Sequence, residues 1–421
     1  MKIIATRGTK DSLPSEVQAW QLIEEKARTL FKIFGYNEIR TPIFEQQALF
    51  ERSLGRSTDI VQKQLISLQS AGKDVKEEKK LALRPEGTAP IVRAYIEHNI
   101  DKKEKYVKYG YVGPMFRGER PQKGRLRQFH HIGVEVIGSN NSYVDVEVIA
   151  LAYNLLMSFG INGFQIKINN LGCAKDKLKL STILKKLLKV RKDELCELCK
   201  DRFERNVFRI LDCKNKDCIA IVKELKIEEQ HICDDCSNYF RSVLDGLRQL
   251  SIPFEVSPLL VRGLDYYTRT VFEITHDALG SQDALGAGGR YDNLVKELGG
   301  PEKPAVGFAL GLERILLVLG DQQDAEAYLD VYVVTLGEEA FKKGFSLLQV
   351  LRSNGIASDL DYENASLKKQ MSRASKAKAP FVILLGEDEV KKDVCTLKDM
   401  ASGAQEEVSA QEIIKRIQEK L

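Results

Sequence analysis

Apolar and polar positions fall into blocks with different periods along this chain. From Ser15 to Phe34, the residues Val17, Trp20, Leu22, Ile23, Ala27, Leu30, Phe31 and Phe34 recur near helical spacing. Gly35 ends the run, so the segment predicts an amphipathic helix. Ile39 to Phe44 then reads as a short strand, with Pro42 favouring an edge or interface position. The charged stretch Gly72 to Lys80 reads as a solvated hairpin tip or loop. From Tyr106 to Ile137 the pattern is strand, polar loop, strand. Strand-like segments return at Tyr266–Ile274 and Ala305–Ala309.

Between Lys175 and Leu250 the composition turns helical, Lys-rich and Cys-rich, which marks an inserted domain. The run from Gly320 to Ala327 has linker composition. Beyond it come a strand at Asp330–Leu336, a helix at Glu338–Ser353, a buried strand at Phe381–Leu385 and a closing helix at Ile413–Leu421. That alternation predicts a small α/β domain. No internal repeat is visible.

Length and composition narrow the classes. At roughly 100–200 residues per domain, 421 residues suggest two to four domains. With 43% hydrophobic and 29% charged residues, wholesale disorder is excluded. No apolar run reaches the ~18 residues a spanning helix needs, and the N-terminus lacks the apolar core of a secretory signal. A net charge of +4 permits a nucleic-acid partner without demanding one, so local patches decide. Lys175, Lys177, Lys179, Lys185, Lys186, Lys189, Arg191 and Lys192 face Asp176 alone within their stretch. That field suits a phosphate backbone, against the plainer reading of a solvated face.

Three segments carry candidate chemistry. Lys108–Glu135 packs Arg117, Arg120, Arg125 and Arg127 with Lys123 around a Pro/Gly turn. Guanidinium forks match phosphate and carboxylate geometry, so such a loop suits a polyphosphate ligand. In the strand that follows, Ile132, Val134 and Val136 point one way, and Phe129, His131, Gly133 and Glu135 the other. Glu135 thereby shares a face with His131 and is placed to recognise a cationic or N–H-donating group; the alternative is a hairpin with a solvated outer face. Leu260–Glu273 sets Arg262 at a strand entrance with Tyr266 and Tyr267 behind it. Gly286–Asp292 is Gly-rich but lacks dinucleotide-site spacing. Arg314 lies off the buried stripe Leu312, Ile315, Leu316, Leu319, and taken singly reads as a surface arginine pairing with Glu313 or a neighbour.

Eight cysteines in this setting point to reduced thiols or a metal rather than a disulfide scaffold. Cys196-x-x-Cys199, Cys213-x4-Cys218 and Cys233-x-x-Cys236 are spaced as zinc knuckles. Six cysteines exceed four ligands. The expected set is Cys196, Cys199, Cys233 and Cys236 around a structural Zn²⁺, with Cys213 and Cys218 the competing pair and metal-free buried thiols the alternative. Cys173 and Cys395, like His98, His231 and His276, read as packing residues.

Taken together and in order, these segments resemble the signature motifs of class II aminoacyl-tRNA synthetases. The pairing of Arg262–Glu273 with Gly286–Asp292 is similar to the histidyl-tRNA synthetase family. Thr6–Asp11 resembles that family's opening, the segment through Ile39–Glu45 its dimer-forming first motif, and Arg84–Thr88 its substrate amino-group loop. The hairpin through Arg117 and the segment through Arg314 look like its second and third motifs.

The resemblance implies an α+β fold: an antiparallel sheet with flanking helices, an inserted helical domain, and a C-terminal α/β anticodon-binding domain. It places catalytic segments at 1–172 and 251–320, the insertion at 173–250, and the last domain at 328–421. It implies ATP-dependent activation of histidine with Mg²⁺ and transfer to its tRNA, by a cytoplasmic homodimer with no membrane association.

By residue, it gives Arg117 and Arg262 to catalysis. Glu86, Gly87, Thr88, Arg117, His131, Glu135, Arg262, Tyr266 and Tyr267 go to histidine, and Arg117, Glu119, Arg125 and Arg314 to ATP. His131 departs from the glutamine this strand commonly carries. Two other readings stay in view. One is a non-catalytic, histidine-sensing regulatory paralogue of ATP phosphoribosyltransferase, which generally lacks the last domain and parts of the arginine set. The other is a class II ligase for proline or threonine.

Overall fold

The computed structural model describes residues 3–55, 58–69, 80–225, 231–320 and 329–421, which fall into two units divided near residue 322. The expected loop at Gly72–Lys80 lies, apart from Lys80, outside the described residues, as does nearly all of the expected linker.

In the first unit the strands are β1 (Asn37–Glu38), β2 (Phe44–Gln46), β3 (Ser67–Leu68), β4 (Leu81–Leu83), β5 (Val107–Phe116), β6 (Gln128–Ile137), β7 (Gln165–Asn170), β8 (Glu255–Val256), β9 (Thr268–Thr275), β10 (Ala284–Arg290) and β11 (Ala305–Gly311). The helices are α1 (Pro14–Ile33), α2 (Gln47–Leu54), α3 (Thr88–Glu97), α4 (Ser142–Ser158), α5 (Ala174–Lys189), α6 (Glu197–Arg205), α7 (Lys216–Glu224), α8 (Asp234–Gln249), α9 (Leu294–Glu297) and α10 (Leu312–Leu319).

One eight-stranded sheet, in the order β1-β5-β6-β11-β10-β9-β7-β8, frames the unit. Its six inner strands pair antiparallel, and the short outer strands β1 and β8 pair parallel. A small sheet, β2-β4-β3, stands beside it.

Side-chain alternation decides which face is which. Ile132, Val134 and Val136 on β6, with Phe308 and Leu310 on β11, enter a core completed by α1 and α4. α1 contributes Ile23, Ala27 and Phe31, the stripe its periodicity predicts, and Gly35 follows its end at φ 75°. The expected strand at Ile39–Phe44 is corrected: it falls between β1 and β2, and only Phe44 is in a strand. Pro42 has no N–H for a ladder, and the backbone carbonyls of Thr41 and Pro42 accept from the Arg84 guanidinium instead.

Residues 174–225 build a small core of their own from Leu180, Leu184, Leu188, Phe203, Ile210 and Ile221, with Cys199, Cys213 and Cys218 packed among them. α8 leaves that core and packs its Val243 and Leu247 beneath α4. Gly246 makes the approach possible, since a Cβ there would sit 2.7 Å from Val146.

The second unit has its own five-stranded sheet. It contains β12 (Val331–Thr335), β13 (Ser358–Leu360), β14 (Phe381–Leu385), β15 (Val394–Asp399) and β16 (Gln405–Ser409), ordered β13-β12-β14-β15-β16. β12 pairs parallel with β13 and β14, and the other pairs are antiparallel. Helices α11 (Glu338–Ser353), α12 (Leu367–Lys376), α13 (Glu387–Lys392) and α14 (Ile413–Gln418) flank it. Val331 and Val333 enter one core with Leu348 and Ile413, while Val334 and Val382 enter another with Ala374, so the sheet is covered on both faces. Cys395 is a packing residue here, its Sγ donating to the Val408 carbonyl at 3.3 Å.

Candidate active site

On the face of the main sheet opposite α1 and α4 lies a cavity of about 680 Å³. It is lined by Glu86, Thr88, Arg117, Glu119, Arg125, His131, Glu135, Arg262, Tyr266, Tyr267 and Arg314. These residues come from segments more than 200 positions apart and meet because β6, β11, β10 and β9 lie side by side. Gly87 stands apart from the lining. Its role is steric, since a Cβ there would meet the Tyr111 ring at 2.6 Å.

At one end, two carboxylates are buried side by side. Glu86 lies just before α3 and accepts the Thr88 and Ala89 N–H groups at 2.6 and 2.9 Å, so it caps that helix. Burial pushes its carboxyl up, against the pull of those N–H groups and of Arg117. Glu135 accepts from the Thr88 hydroxyl at 2.6 Å and from the Tyr291 phenol. Burial, with the Glu86 charge adding to it, pushes Glu135 up to about 8. Glu135 pairs in register with Gly307 on β11, where a Cβ would fall 1.9 Å from Glu135 Oε2. Tyr266 and Tyr267 pack beside them with ring centroids 4.7 Å apart and planes tilted by 54°, and burial pushes Tyr267 up to about 12.

Farther along, four guanidinium groups line the cleft. Arg117 Nε donates to the Pro85 carbonyl at 3.0 Å, and the group lies 5.1 Å over the Phe129 ring. Arg125 faces Glu119 at 3.4 Å. Arg314 donates to the Gly124 carbonyl at 3.3 Å and to that of Ala284. Arg262 pairs with Glu273 at 2.6 Å, while its buried Nε makes no hydrogen bond among the described residues.

Arg314 thus lines the cavity, where its sequence context taken singly had suggested a surface arginine. Glu313 grips His130, accepting from its backbone N–H and meeting its ring Nδ1, each at 2.9 Å. His131 stays neutral: burial, then the charges of Arg117 and Arg84, bring it down to about 3. Its buried Nδ1 makes no hydrogen bond among the described residues, so the cleft offers one unused imidazole nitrogen.

Sequence reasoning passed over Tyr291, Glu273 and Gly307 as site residues. All three sat in segments singled out for other reasons. Their signal was strand register, which places Gly307 opposite Glu135 and Glu273 on the strand beside Gly286–Gly289. Gly286 does line the cavity, whereas Gly288 is required by the sheet, since its Cβ would meet the Gly307 carbonyl at 2.3 Å.

The cysteines regroup. Cys196, Cys199, Cys213 and Cys218 bring their sulfurs within 4.8 Å of one another, whereas Cys233 and Cys236 lie with Cys173 and Asp176. The expected set of Cys196, Cys199, Cys233 and Cys236 is thus corrected, and Cys173, expected to be a packing residue, lies beside Cys233 and Cys236. The cause is α8, which carries its knuckle back to the catalytic core and leaves Cys213 and Cys218 inside the insertion.

Lys177 is not part of a surface field either, since its ammonium is spent on the Asp265 and Tyr267 carbonyls at 3.0 and 2.9 Å. Arg191 pairs with Glu194 and Glu224, and Lys192 with Glu204. Lys175, Lys179, Lys186 and Lys189 stay exposed.

An antiparallel sheet with an arginine-bearing hairpin across one face and a strand-helix arginine beside it defines the catalytic core of a class II aminoacyl-tRNA synthetase. Residues 8–315 match the family model of histidyl-tRNA synthetase, and residues 330–420 that of the anticodon binding domain. The chain is 44% identical to a histidine–tRNA ligase of Natranaerobius thermophilus over 99% of its own length and 98% of the relative's. It is 43% identical to that of Halothermothrix orenii, with 99% of each chain covered. The crystal structure of apo histidyl-tRNA synthetase from S. aureus superposes with a TM-score of 0.82 at 33% identity, covering 99% of this chain and all of that one. The chain belongs to the histidyl-tRNA synthetase family, whose members are ATP-dependent aminoacyl-tRNA ligases.

Proposed function

We propose that this cleft activates histidine with ATP and that the chain then passes the histidyl group to the terminal ribose of its tRNA. The observation that carries the reading is one cavity with Glu86, Glu135 and two tyrosines at one end and four arginines along the rest. The first suits an amino acid with an N–H-bearing ring, the second a triphosphate. In the first step a histidine carboxylate oxygen bonds to the α-phosphorus, the bond to the bridging oxygen breaks, and pyrophosphate leaves with the electron pair.

Two anions must be held in contact for that step. Arg117 bridges substrate carboxylate and α-phosphate, and Arg262 stabilises the charge that grows on phosphorus. Arg125 and Arg314 hold the nucleotide, and Glu119 lies among them. Glu86 and Thr88 take the substrate ammonium. Glu135 and Tyr267, beside Tyr266, take the imidazole, with His131 adding its unpaired nitrogen. A site that satisfies imidazole N–H groups leaves polar atoms unpaired with a wrong amino acid, which discriminates by about 10⁴–10⁵. The acidic side chains on the phosphate side, Glu119 and Glu273, are hard oxygen donors that fit Mg²⁺, which when bound neutralises phosphate charge.

The anticodon-binding-type domain and the complete arginine set speak against the regulatory paralogue. A homodimer is proposed from the first-motif segment, where Ile43 and Phe44 stand 44% and 52% exposed. The exposed lysines of α5 are the proposed phosphate contacts to tRNA. Among the described residues no helix is long and apolar enough to cross a membrane, and the proposed location is the cytoplasm. For Zn²⁺, the tetrathiolate Cys196, Cys199, Cys213 and Cys218 is proposed. A Zn–S bond of about 2.3 Å gives a tetrahedral sulfur–sulfur edge of about 3.8 Å. Cys196 and Cys213 lie 3.9 Å apart and fit that edge. Histidine titrated by calorimetry into wild type and Glu135→Gln tests the substrate end: tight binding to the first and loss in the second is expected, and equal binding overturns the assignment of Glu135.

A further inference from the structure

The neck of the insertion holds a second cluster. Cys173 caps α5, Cys233 caps α8, and Cys236 lies in the first turn of α8. Two chain crossings, the one that leaves the catalytic core and the one that returns to it, therefore meet at these three thiols. Asp176, in the first turn of α5, points among them, and the four ligand atoms lie within 4.8 Å of one another.

Asp176 is the informative member. Its residue is fully buried, yet Oδ1 completes no hydrogen bond of good geometry among the described residues. Its other oxygen accepts from the Cys173 N–H at 3.2 Å. The nearest cation is Lys179, 4.0 Å away on a side chain 60% exposed. The thiols of Cys233 and Cys236 and the Cys233 N–H are its remaining hydrogen-bonding neighbours. A buried carboxylate oxygen with no well-formed hydrogen bond, set among three sulfurs, is placed as a ligand for a cation.

We propose that Cys173, Asp176, Cys233 and Cys236 form a second Zn²⁺ site, with three sulfur ligands and one oxygen, closing the neck of the insertion. Three thiolates and one carboxylate suit zinc over magnesium or calcium, which take oxygen ligands. The site fixes more than the neck. Arg269, held at φ 47°, exchanges backbone hydrogen bonds with Leu171 and Gly172 at 2.8 Å and pairs with Asp235 at 2.9 Å. Lys177, one residue past Asp176, holds the carbonyls of Asp265 and Tyr267. The metal thus anchors both ends of the insertion to the segment that presents Tyr266 and Tyr267 to the cleft. It is a positioning device, distinct from the tetrathiolate within the insertion.

The test is the zinc content of the full chain, purified reduced and without chelator. Two zinc per chain are expected, with one lost in Cys233→Ser/Cys236→Ser and the other in Cys196→Ser/Cys199→Ser. Asp176→Asn should lose the same ion as the Cys233 variant. If the Cys233 variant does not fold, Co²⁺ substitution of wild type decides: sulfur-to-cobalt charge transfer should report seven thiolate bonds per chain. Four bonds, an undiminished zinc count in Cys233→Ser/Cys236→Ser, or a disulfide among Cys173, Cys233 and Cys236 would overturn the second site. Failure of the tetrathiolate reading would instead remove only the ion that Cys196 and Cys199 hold.

Discussion

The hydroxyl of Thr88 donates to Glu135 across 2.6 Å, joining the start of a helix to the middle of a strand 47 positions away. That bond and the Tyr291 phenol are what the buried Glu135 carboxylate has in place of water. They do not offset burial, which holds Glu135 at about 8.

The sign of the resulting pH dependence follows. A carboxyl titrating near 4.5 when unfolded and near 8 when folded binds more protons in the native state throughout that window. Stability therefore falls as pH rises from about 5 to 8 and levels off beyond. Glu135→Gln removes the effect. Melting curves should show wild type losing several degrees between pH 6 and 8.5 relative to the variant. Parallel curves would mean that Glu135 is ionised across this pH range.

Gly307 is required by Glu135. An alanine Cβ would lie 1.9 Å from its carboxylate and 2.3 Å from the Val134 carbonyl, a fixed piece of sheet. Gly307→Ala is expected to cost about 1–3 kcal/mol in stability and to raise KM for histidine by roughly tenfold or more, with KM for ATP little changed. An equal rise in both would point to a general collapse of the cleft.

Arg262→Ala should lower kcat for adenylate formation by roughly 10²–10³, the usual loss of one donor aimed at developing charge. Histidine affinity should stay within a few-fold. Near-normal turnover would remove Arg262 from the chemical step.

Arg290 and Asp145 form a wholly buried pair at 2.7 Å, with Asp292 and the Ser139 carbonyl taking the remaining guanidinium protons. Asp145→Asn removes one of the two carboxylates that face the buried Arg290 and leaves only Asp292 to meet its charge. A loss of about 3–5 kcal/mol is expected by denaturant unfolding. A loss below 1 kcal/mol would mean that water reaches Arg290.

Much of this was legible in residue order. The α1 stripe, the α11 helix and the β14 strand follow from single-segment periodicity, because each buries one face or both against a single neighbouring layer. The hairpin arginines, His131 and Glu135 were legible from alternation, which needs only a period of two. What was not legible depends on register and topology. Gly307 and Tyr291 matter because particular strands run opposite Glu135. Cys173 and Asp176 matter because α8 returns to the neck, and spacing alone paired Cys233 and Cys236 with the wrong thiols. The gap between β1 and β2 at Pro42 required knowing that the Arg84 guanidinium takes the local carbonyls.

The most direct measurement is histidine-dependent exchange of labelled pyrophosphate into ATP, run beside the other nineteen amino acids. The cleft described here predicts exchange with histidine alone, without any tRNA. Histidine binding with no exchange would mark a non-catalytic sensor, and exchange with a different amino acid would contradict the assignment of Glu135 and Tyr267 to the imidazole.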